Sequence, residues 1–583
     1  MKSLLPGTAA TLAALALLAC RENPPPPAAI PEEEDRPVQS EVDFSGWTGL
    51  GDEARAYLWE AEGIAFQVEH KILPLWLNAF QTRAADGVAH HLAEHAALSI
   101  PSGPWELLDG HPLVEESILS GEIEEVSMGG LLQLPERLFG GDPSGARLKL
   151  KLEVLRQPGE RGPEAPWHAE IRMVLRKDAV EAEATLDCQF GPISRDVSSE
   201  AGWLRSVTVR DFRRREGRNA RPLFEDVTAE TGLPVAELHD NWRDEPRHLG
   251  GTGGVFVEDY DGDGQLDLLL TDAKAGLRLF RGAGGFRFVE TTEQSGLGAL
   301  FAGELPGKAA WADLDGDGDP DLVIAHRLFE NAGAGGFLER TFGSGLDMGN
   351  YASISVADFD NDGRLDLFVS SSRDLPRSVP EAVNPAWIDG GWGVPNQLWR
   401  NLGDWRFDEV AESRGIAGEG GSTFAVTCLD LEGDGDVDVF EINEFGRNHL
   451  YRNDGGGRFT DLGDPDPVFG GMSMGVTSGD VDNDGFPEVL VANMHSKAGT
   501  RAVGNLLPEW YPPGVHAKLA ESTLGSQLYL NRGGKLSVAP VGTLDRRLGW
   551  GYGNRFLDID GDGFLDLYAT AGFASIARGK PDG

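Results

Sequence analysis

One nine-residue pattern constrains this chain more than any other feature, because the chain writes it six times. The first copy is Asp259-Tyr-Asp-Gly-Asp-Gly-Gln-Leu-Asp267, and the others begin at Asp313, Asp358, Asp430, Asp480 and Asp558. Each copy carries a carboxylate at positions 1, 3, 5 and 9. In chain order these are Asp259, Asp261, Asp263 and Asp267; Asp313, Asp315, Asp317 and Asp321; Asp358, Asp360, Asp362 and Asp366. The later sets are Asp430, Glu432, Asp434 and Asp438; Asp480, Asp482, Asp484 and Glu488; Asp558, Asp560, Asp562 and Asp566. Position 6 is always Gly and position 4 is Gly or Asn. Both types tolerate the positive φ of a chain that wraps around a point.

Four carboxylates within a few ångströms oppose one another's ionisation unless a cation sits among them. Hard oxygen donors in a flexible ring of about seven suit Ca²⁺, with a backbone carbonyl at position 7. Position 7 varies here (Gln265, Asp319, Arg364, Asp436, Phe486, Phe564), as a main-chain ligand allows. All these carboxylates are therefore expected metal ligands, and Ca²⁺ is the expected ion. Aspartates that merely cap turn amides account for one or two carboxylates per loop, not four at fixed spacing.

An EF-hand would need a bidentate Glu at position 12 and flanking helices. Position 12 instead reads Leu270, Ile324, Val369, Glu441, Val491 and Ala569. The runs that follow the loops, such as Leu268–Leu270, Leu322–Ile324 and Val489–Val491, are short and apolar and read as buried strands. Each loop is expected to join two strands.

The formal net charge is −43, and six Ca²⁺ would still leave it at about −31. So acidic a surface argues against nucleic acid and anionic lipid as partners. Of three cysteines, Cys188 and Cys428 fall in different segments without zinc spacing and are expected as buried free thiols.

The N-terminus has Lys2 and an apolar run from Ala9 to Ala19, a secretory segment too short to span a bilayer permanently. Its end, Leu17-Leu-Ala-Cys20, resembles the lipobox of bacterial lipoproteins. That resemblance implies cleavage before Cys20, lipidation of its thiol, and an outer-membrane or cell-surface location for an exported protein. Residues 1–20 are then the signal peptide. Residues 21–40, with Pro24–Pro27 and Glu32–Asp35, form a stiff spacer without a core. Membrane contact is expected through the lipid anchor alone.

Residues 41–215 read as a small α+β domain. Ile64–Phe80 has helical apolar spacing, and a second helix is expected over Ala84–Leu98. Strands are expected at Arg147–Arg156, His168–Arg176, Glu181–Phe190 and Trp203–Arg214. This order is similar to that of the cone-shaped nuclear-transport-factor-2-like folds.

Two catalytic look-alikes occur. His91-Leu-Ala-Glu-His95 matches the inverted zinc-peptidase motif, but the chain downstream reads as strands and offers no third ligand on a helix. A solvated or half-buried helix face is the plainer expectation. Gly471-Met-Ser-Met-Gly475 matches a nucleophile elbow, yet it leads into the fifth loop, where Ser473 is expected on a strand.

After each loop come two further motifs. One is Leu-aromatic-x-Asn or a variant of it (Leu328-Phe-Glu-Asn331, Leu398-Trp-Arg-Asn401, Leu450-Tyr-Arg-Asn453); the other is a Gly-x-Phe strand such as Gly457-Arg-Phe459. Strand, loop, strand and hairpin make a four-stranded blade. These residues resemble the FG-GAP/VCBS repeats of integrin-α-type propellers and the cartilage acidic protein 1-like/UnbV group. A UnbV-type C-terminal domain is not recognisable, so nothing carries over from it. The resemblance implies a mainly β, six- or seven-bladed calcium-loop β-propeller over 220–583. Leu223–Leu233 looks like the outer half of a repeat and is expected to close the ring against the last blade. Insertions near 371–395 and 495–525 are where ligand contacts are expected.

The expected function is a surface-anchored, calcium-binding and non-catalytic scaffold that recognises an extracellular protein or glycan. The alternative is an enzyme of the polysaccharide-lyase or hydrolase type built on the same propeller, but no catalytic constellation assembles from the sequence. The apolar ligand pocket open to a cone-shaped N-terminal domain is a third reading.

Overall fold

The computed structural model describes residues 49–571, apart from 109–113, 160, 219–223, 239–252, 273–275, 299, 302–306, 334, 350, 372–392, 419–420, 466–471, 496, 541–542, 545 and 550. The secretory segment with Cys20, the 21–40 spacer and most of the 371–395 insertion lie outside the described residues. No helix among those described is long and apolar enough to cross a membrane.

The N-terminal unit packs helices on one face of an eight-stranded sheet. Its main helix runs Asp52–Gln67, passes through a π-turn at Val68–Ile72 and continues as Leu73–Thr82. Asp52 and Glu53 suit the positive end of the helix dipole. Pro74 lacks an N–H and crowds the carbonyl a turn earlier, which an inserted π-turn residue relieves. Ile64, Val68, Ile72, Trp76 and Phe80 recur at helical spacing and are buried against the sheet.

The second helix expected over Ala84–Leu98 is largely absent. Only Asp86–Ala89 is helical, and Leu92–Ser102 is a strand. It pairs parallel to Leu204–Gly217 (Leu98 opposite Val207) and antiparallel to Glu122–Glu125 (Ser99 opposite Glu125). Sheet pairing overrides the helix preference of its Ala, Leu and Glu residues. His91 and His95 therefore do not share a helix face. His91 is a buried core residue whose Nδ1 accepts from Trp76 Nε1 at 3.0 Å and whose ring lies 5.0 Å from that of Trp203. Burial pushes its pKa down to about 4.

Strands Arg147–Arg156, Trp167–Lys177, Val180–Phe190 and Leu204–Gly217 form the antiparallel meander. Their outer face is an ion-pair grid in which Arg210 meets Glu170 and Asp187, and Arg215 meets Glu116 and Glu181. Cys188 and Cys428 are both free, the first buried and the second half-buried.

The rest of the chain is a series of antiparallel sheets, each with an aspartate loop between its first two strands. The first sheet has Val255–Glu258, Asp267–Asp272, Gly276–Gly282 and Phe288–Glu290. The second has Ala309–Ala312, Asp321–Ile324, Arg327–Asn331 and Phe337–Glu339. The third has Ser353–Ala357, Asp366–Ser370, Gln397–Asn401 and Phe407–Glu409. The fourth has Thr423–Leu429, Asp438–Asn443, His449–Asn453 and Phe459–Asp461. The fifth has Ser473–Gly479, Glu488–Asn493, Gln527–Asn531 and Leu536–Val538. Of the sixth, two strands are described, Gly551–Leu557 and Asp566–Ala571. The first strands of successive sheets pack side by side in chain order.

Residues 224–233 touch both ends of this series. The Phe224 ring stands 5.6 Å from that of Tyr568 on the sixth sheet, and Thr231 O accepts from Phe288 N of the first at 2.8 Å. Ser473 is a strand residue whose hydroxyl lies within hydrogen-bond distance of Asn448 Oδ1 (3.1 Å) and Asn493 Oδ1 (2.9 Å).

The insertion after the fifth loop forms helices Lys497–Gly504 and Val515–Ser522. The residues it presents are engaged in docking the N-terminal unit. Arg501 reaches Glu62 (3.1 Å) and Glu69 (3.1 Å), Asn505 Nδ2 donates to Leu155 O (2.7 Å), and Tyr57 OH donates to Asn505 Oδ1 (3.0 Å).

Candidate metal centres

Every loop folds on the same internal hydrogen bonds. Oδ2 of the position-1 aspartate accepts the position-6 glycine N–H in all six, from Gly264 to Asp259 at 2.8 Å through Gly563 to Asp558 at 3.0 Å. The position-6 glycines have φ between +82° and +96°, and position 4 is also left-handed, including Asn361 (+55°) and Asn483 (+59°). A Cβ at position 6 would be strained there, which is why that position does not vary. Oδ1 at position 5 accepts the position-7 N–H in all six, as in Gln265 to Asp263 at 2.8 Å.

Position 9 braces the sheet. One oxygen accepts the position-2 N–H in every loop: Tyr260 to Asp267 (2.9 Å), Leu314 to Asp321 (2.8 Å), Phe359 to Asp366 (3.2 Å), Leu431 to Asp438 (2.7 Å), Val481 to Glu488 (3.0 Å) and Ile559 to Asp566 (3.0 Å). In the first five the other oxygen accepts from the third strand, for example Asn401 N to Asp366 Oδ1 at 2.7 Å. In the first four loops each of these oxygens keeps a second lone pair, whereas Glu488 Oε1 also accepts from Arg532 Nη1 at 3.4 Å.

The carboxylates converge. Oxygens of Asp259, Asp261 and Asp263 lie within 4.8 Å of one another, and so do those of Asp313, Asp315 and Asp321; of Asp358, Asp360 and Asp366; and of Asp480, Asp482 and Glu488. Position 5 stands outside three of these trios, where Asp362 and Asp484 are drawn toward Arg400 (2.8 Å) and Arg532 (3.3 Å). Asp360 Oδ1 is buried and has no hydrogen-bond partner, and the same holds for Glu432 Oε2, both at position 3. Burial, followed by neighbouring carboxylates, pushes Glu432 up to about 7. Burial against the hydrogen bonds that partly offset it takes Asp321 and Asp366 to about 7, and Asp267 and Asp438 to about 6. Orphaned, desolvated, all-oxygen donors are what a hard divalent cation takes as ligands.

Two side chains that the sequence reading missed complete the arrangement, both in the Leu-aromatic-Arg-Asn motif. The asparagine clips one repeat to the loop of the repeat before. Asn331 Nδ2 donates to Tyr260 O (2.7 Å), Asn401 to Leu314 O (2.7 Å), Asn453 to Phe359 O (2.8 Å) and Asn531 to Leu431 O (2.9 Å). Where the residue before it is Arg, that side chain reaches its own loop, as Arg400 does to Asp362 (2.8 Å) and Arg452 to Glu432 (3.8 Å). The only signal in the sequence was the fixed spacing of the motif.

A family model for the FG-GAP-like repeat matches residues 259–324, 325–369 and 430–491. The chain carries FG-GAP-like repeats. Human cartilage acidic protein 1 is 26% identical over 338 residues, covering 55% of this chain and 47% of its own length. The mouse protein is 26% identical over 283 residues, covering 48% and 40%. The chain thus spans about half the length, or less, of the curated relatives it matches. Among solved structures the Vibrio cholerae biofilm matrix protein Bap1 aligns over 50% of this chain and 38% of its own at 18% identity, with a TM-score of 0.27, too loose to inform the fold. Each FG-GAP-like segment matched spans at least one aspartate loop or the strands beside it, so the repeat and the candidate centre are one unit.

A separate trio, His168, Glu170 and Asp187, lies on the sheet of the N-terminal unit. Arg210 already sits against both of its carboxylates, at 2.7 Å from Glu170 and 3.4 Å from Asp187, so a guanidinium supplies the positive charge there.

Proposed function

We propose that this chain is an exported, calcium-rigidified β-propeller, a non-catalytic scaffold that presents its loops to an extracellular protein or glycan. Ca²⁺ would be held by the position 1, 3, 5 and 9 carboxylates of each loop together with the position-7 carbonyl. The observation that carries the metal reading is Asp360, whose Oδ1 is buried without a hydrogen-bond partner and whose carboxylate lies within 4.8 Å of those of Asp358 and Asp366. The ring reading is supported by first strands that abut in chain order and by residues 224–233, which touch the sixth and first sheets together. Cys20 is the lipid anchor in this reading, placing the protein on the outer membrane or cell surface.

The deciding measurement is a thermal melt with and without EGTA, with Mg²⁺ as the control. A transition that falls by many degrees on chelation and returns with Ca²⁺ supports the reading; an unchanged transition sinks it. Glycan arrays and pull-downs from culture supernatant then identify the ligand class. A Cys20→Ala variant should move from the membrane to the soluble fraction.

A further inference from the structure

The six loops share a donor pattern but not an electrostatic setting. In the third sheet the residue before the clipping asparagine is Arg400. Its Nε lies 2.6 Å from Asp360 Oδ2, and its Nη2 donates to Asp362 Oδ2 at 2.8 Å. Arg364 also pairs with Asp362, and Arg414 comes within 3.8 Å of Asp360. Three guanidinium groups thus face two of the four carboxylates of loop 358–366, Asp360 and Asp362.

In the second sheet the same register position, before Asn331, holds Glu330. It adds a negative charge beside Asp315 and is itself paired with Arg340. Among the described residues no Lys or Arg pairs with Asp313, Asp315, Asp317 or Asp321. The two loops hold the same ligand types and the same turn hydrogen bonds from position 6 to 1 and 7 to 5, yet one is met by cations and the other by a further anion. Separations this short lie inside the Debye length of about 8 Å, so salt does not erase the difference.

We propose that loop 313–321 depends on calcium more than loop 358–366 does, and that Arg400 serves loop 358–366 as a built-in counter-cation that holds its shape when the ion is withdrawn. The inference rests on the calcium reading above and adds that the sites are unequal, with residue 330 or 400 setting the difference. A loop crowded by uncompensated charge gains most from a divalent ion and loses most without it. A loop whose carboxylates already meet guanidinium groups gains less, because the ion must share them.

Hydrogen exchange followed by mass spectrometry on the whole chain, in Ca²⁺ and in EGTA, separates the outcomes. Chelation should raise exchange over 313–321 about fivefold more than over 358–366. Glu330→Arg should weaken Ca²⁺ binding at its loop about tenfold, as a reversal of charge at this range does, and should blunt the EGTA response of 313–321. Glu330→Gln, which changes charge with little change of volume, should act in the same direction by less and keeps the test readable if the arginine variant does not fold. Arg400→Gln should make 358–366 respond as 313–321 does. Equal responses of the two loops in the unmodified protein would overturn the inference while leaving calcium binding intact. No response in any loop would count against the calcium reading itself.

Discussion

Asn401 and Leu314 belong to different repeats, 87 residues apart, yet the Asn401 side-chain amide donates to the Leu314 carbonyl at 2.7 Å. The same amide donates to Leu365 O at 3.1 Å, and Oδ1 accepts from Gly403 N at 2.9 Å. Asn401 is fully buried, so each of these bonds is made without competition from water. One side chain therefore fixes its own hairpin, its own loop and the loop of the preceding sheet.

Replacing Asn401 by Ala should destabilise the repeat region by about 2–4 kcal/mol, since two carbonyls and an amide lose their partners in a dry site. Asn453→Ala should behave alike, because it makes the same set of bonds to Phe359 O, Val437 O and Gly455 N. Denaturant unfolding checks this, and a loss below about 0.5 kcal/mol would mean that the sheets are held together by apolar packing alone.

The Arg501 guanidinium couples the two units of the chain. It is buried between Glu62 and Glu69 of the long N-terminal helix. Arg501→Ala leaves two partly buried carboxylates without their cation and should cost up to about 3 kcal/mol. Calorimetry should then resolve two transitions where the parent protein should give one, and limited proteolysis should release the N-terminal unit. A single unchanged transition would show that the remaining contacts of Asn505 and Tyr57, with the Arg161 Nη1 bond to Asn505 O at 2.8 Å, suffice.

Sequence and structure agree where a local rule decides, and part where a distant one does. The aspartate loops are legible because their constraints are internal: glycine at positive φ, carboxylates on nearby amides, an apolar strand on each side. The meander of the N-terminal unit is legible for the same reason, since Leu148, Leu152, Ile171, Met173, Ala184 and Leu186 mark its inner face. Leu92–Ser102 is misread as helix because its partner, Leu204–Gly217, lies about a hundred residues on and leaves no mark in the segment itself. The asparagine clip is invisible for a related reason: Asn331 and its acceptor Tyr260 sit in separate repeats. The 495–525 insertion looks like a ligand loop by composition, but its Arg501 and Asn505 are matched to Glu62 and Leu155 far upstream.

Acidity should stabilise the chelated protein. Burial raises Asp321 and Asp366 to about 7, above the ordinary 3.8. Between those values the folded chain holds protons that the unfolded chain has released, so stability falls as pH rises through the folded pKa. In EGTA the melting temperature should therefore be higher at pH 5.5 than at pH 8. Adding Ca²⁺ should reverse the order, because the ion favours the ionised carboxylates. Parallel melts at both pH values test the sign, and a chelated protein that is more stable at pH 8 would contradict it.

Phe224 and Tyr568 test the closure of the ring. Their rings meet edge-on at 5.6 Å, with planes 62° apart, although Phe224 precedes the first sheet and Tyr568 lies in the sixth. If the sheets form a ring, this contact joins its ends, and loosening it should open the series at one seam. A double-mutant cycle of Phe224→Ala and Tyr568→Ala should give a coupling of about 0.5–1.5 kcal/mol, the range for an aromatic pair in contact. Either single change should also raise hydrogen exchange in Val255–Glu258 and Gly551–Leu557, the first strands on the two sides of the seam, while leaving the third sheet protected. Additive effects, or exchange that rises evenly through all six sheets, would show that the ring is not closed through this pair.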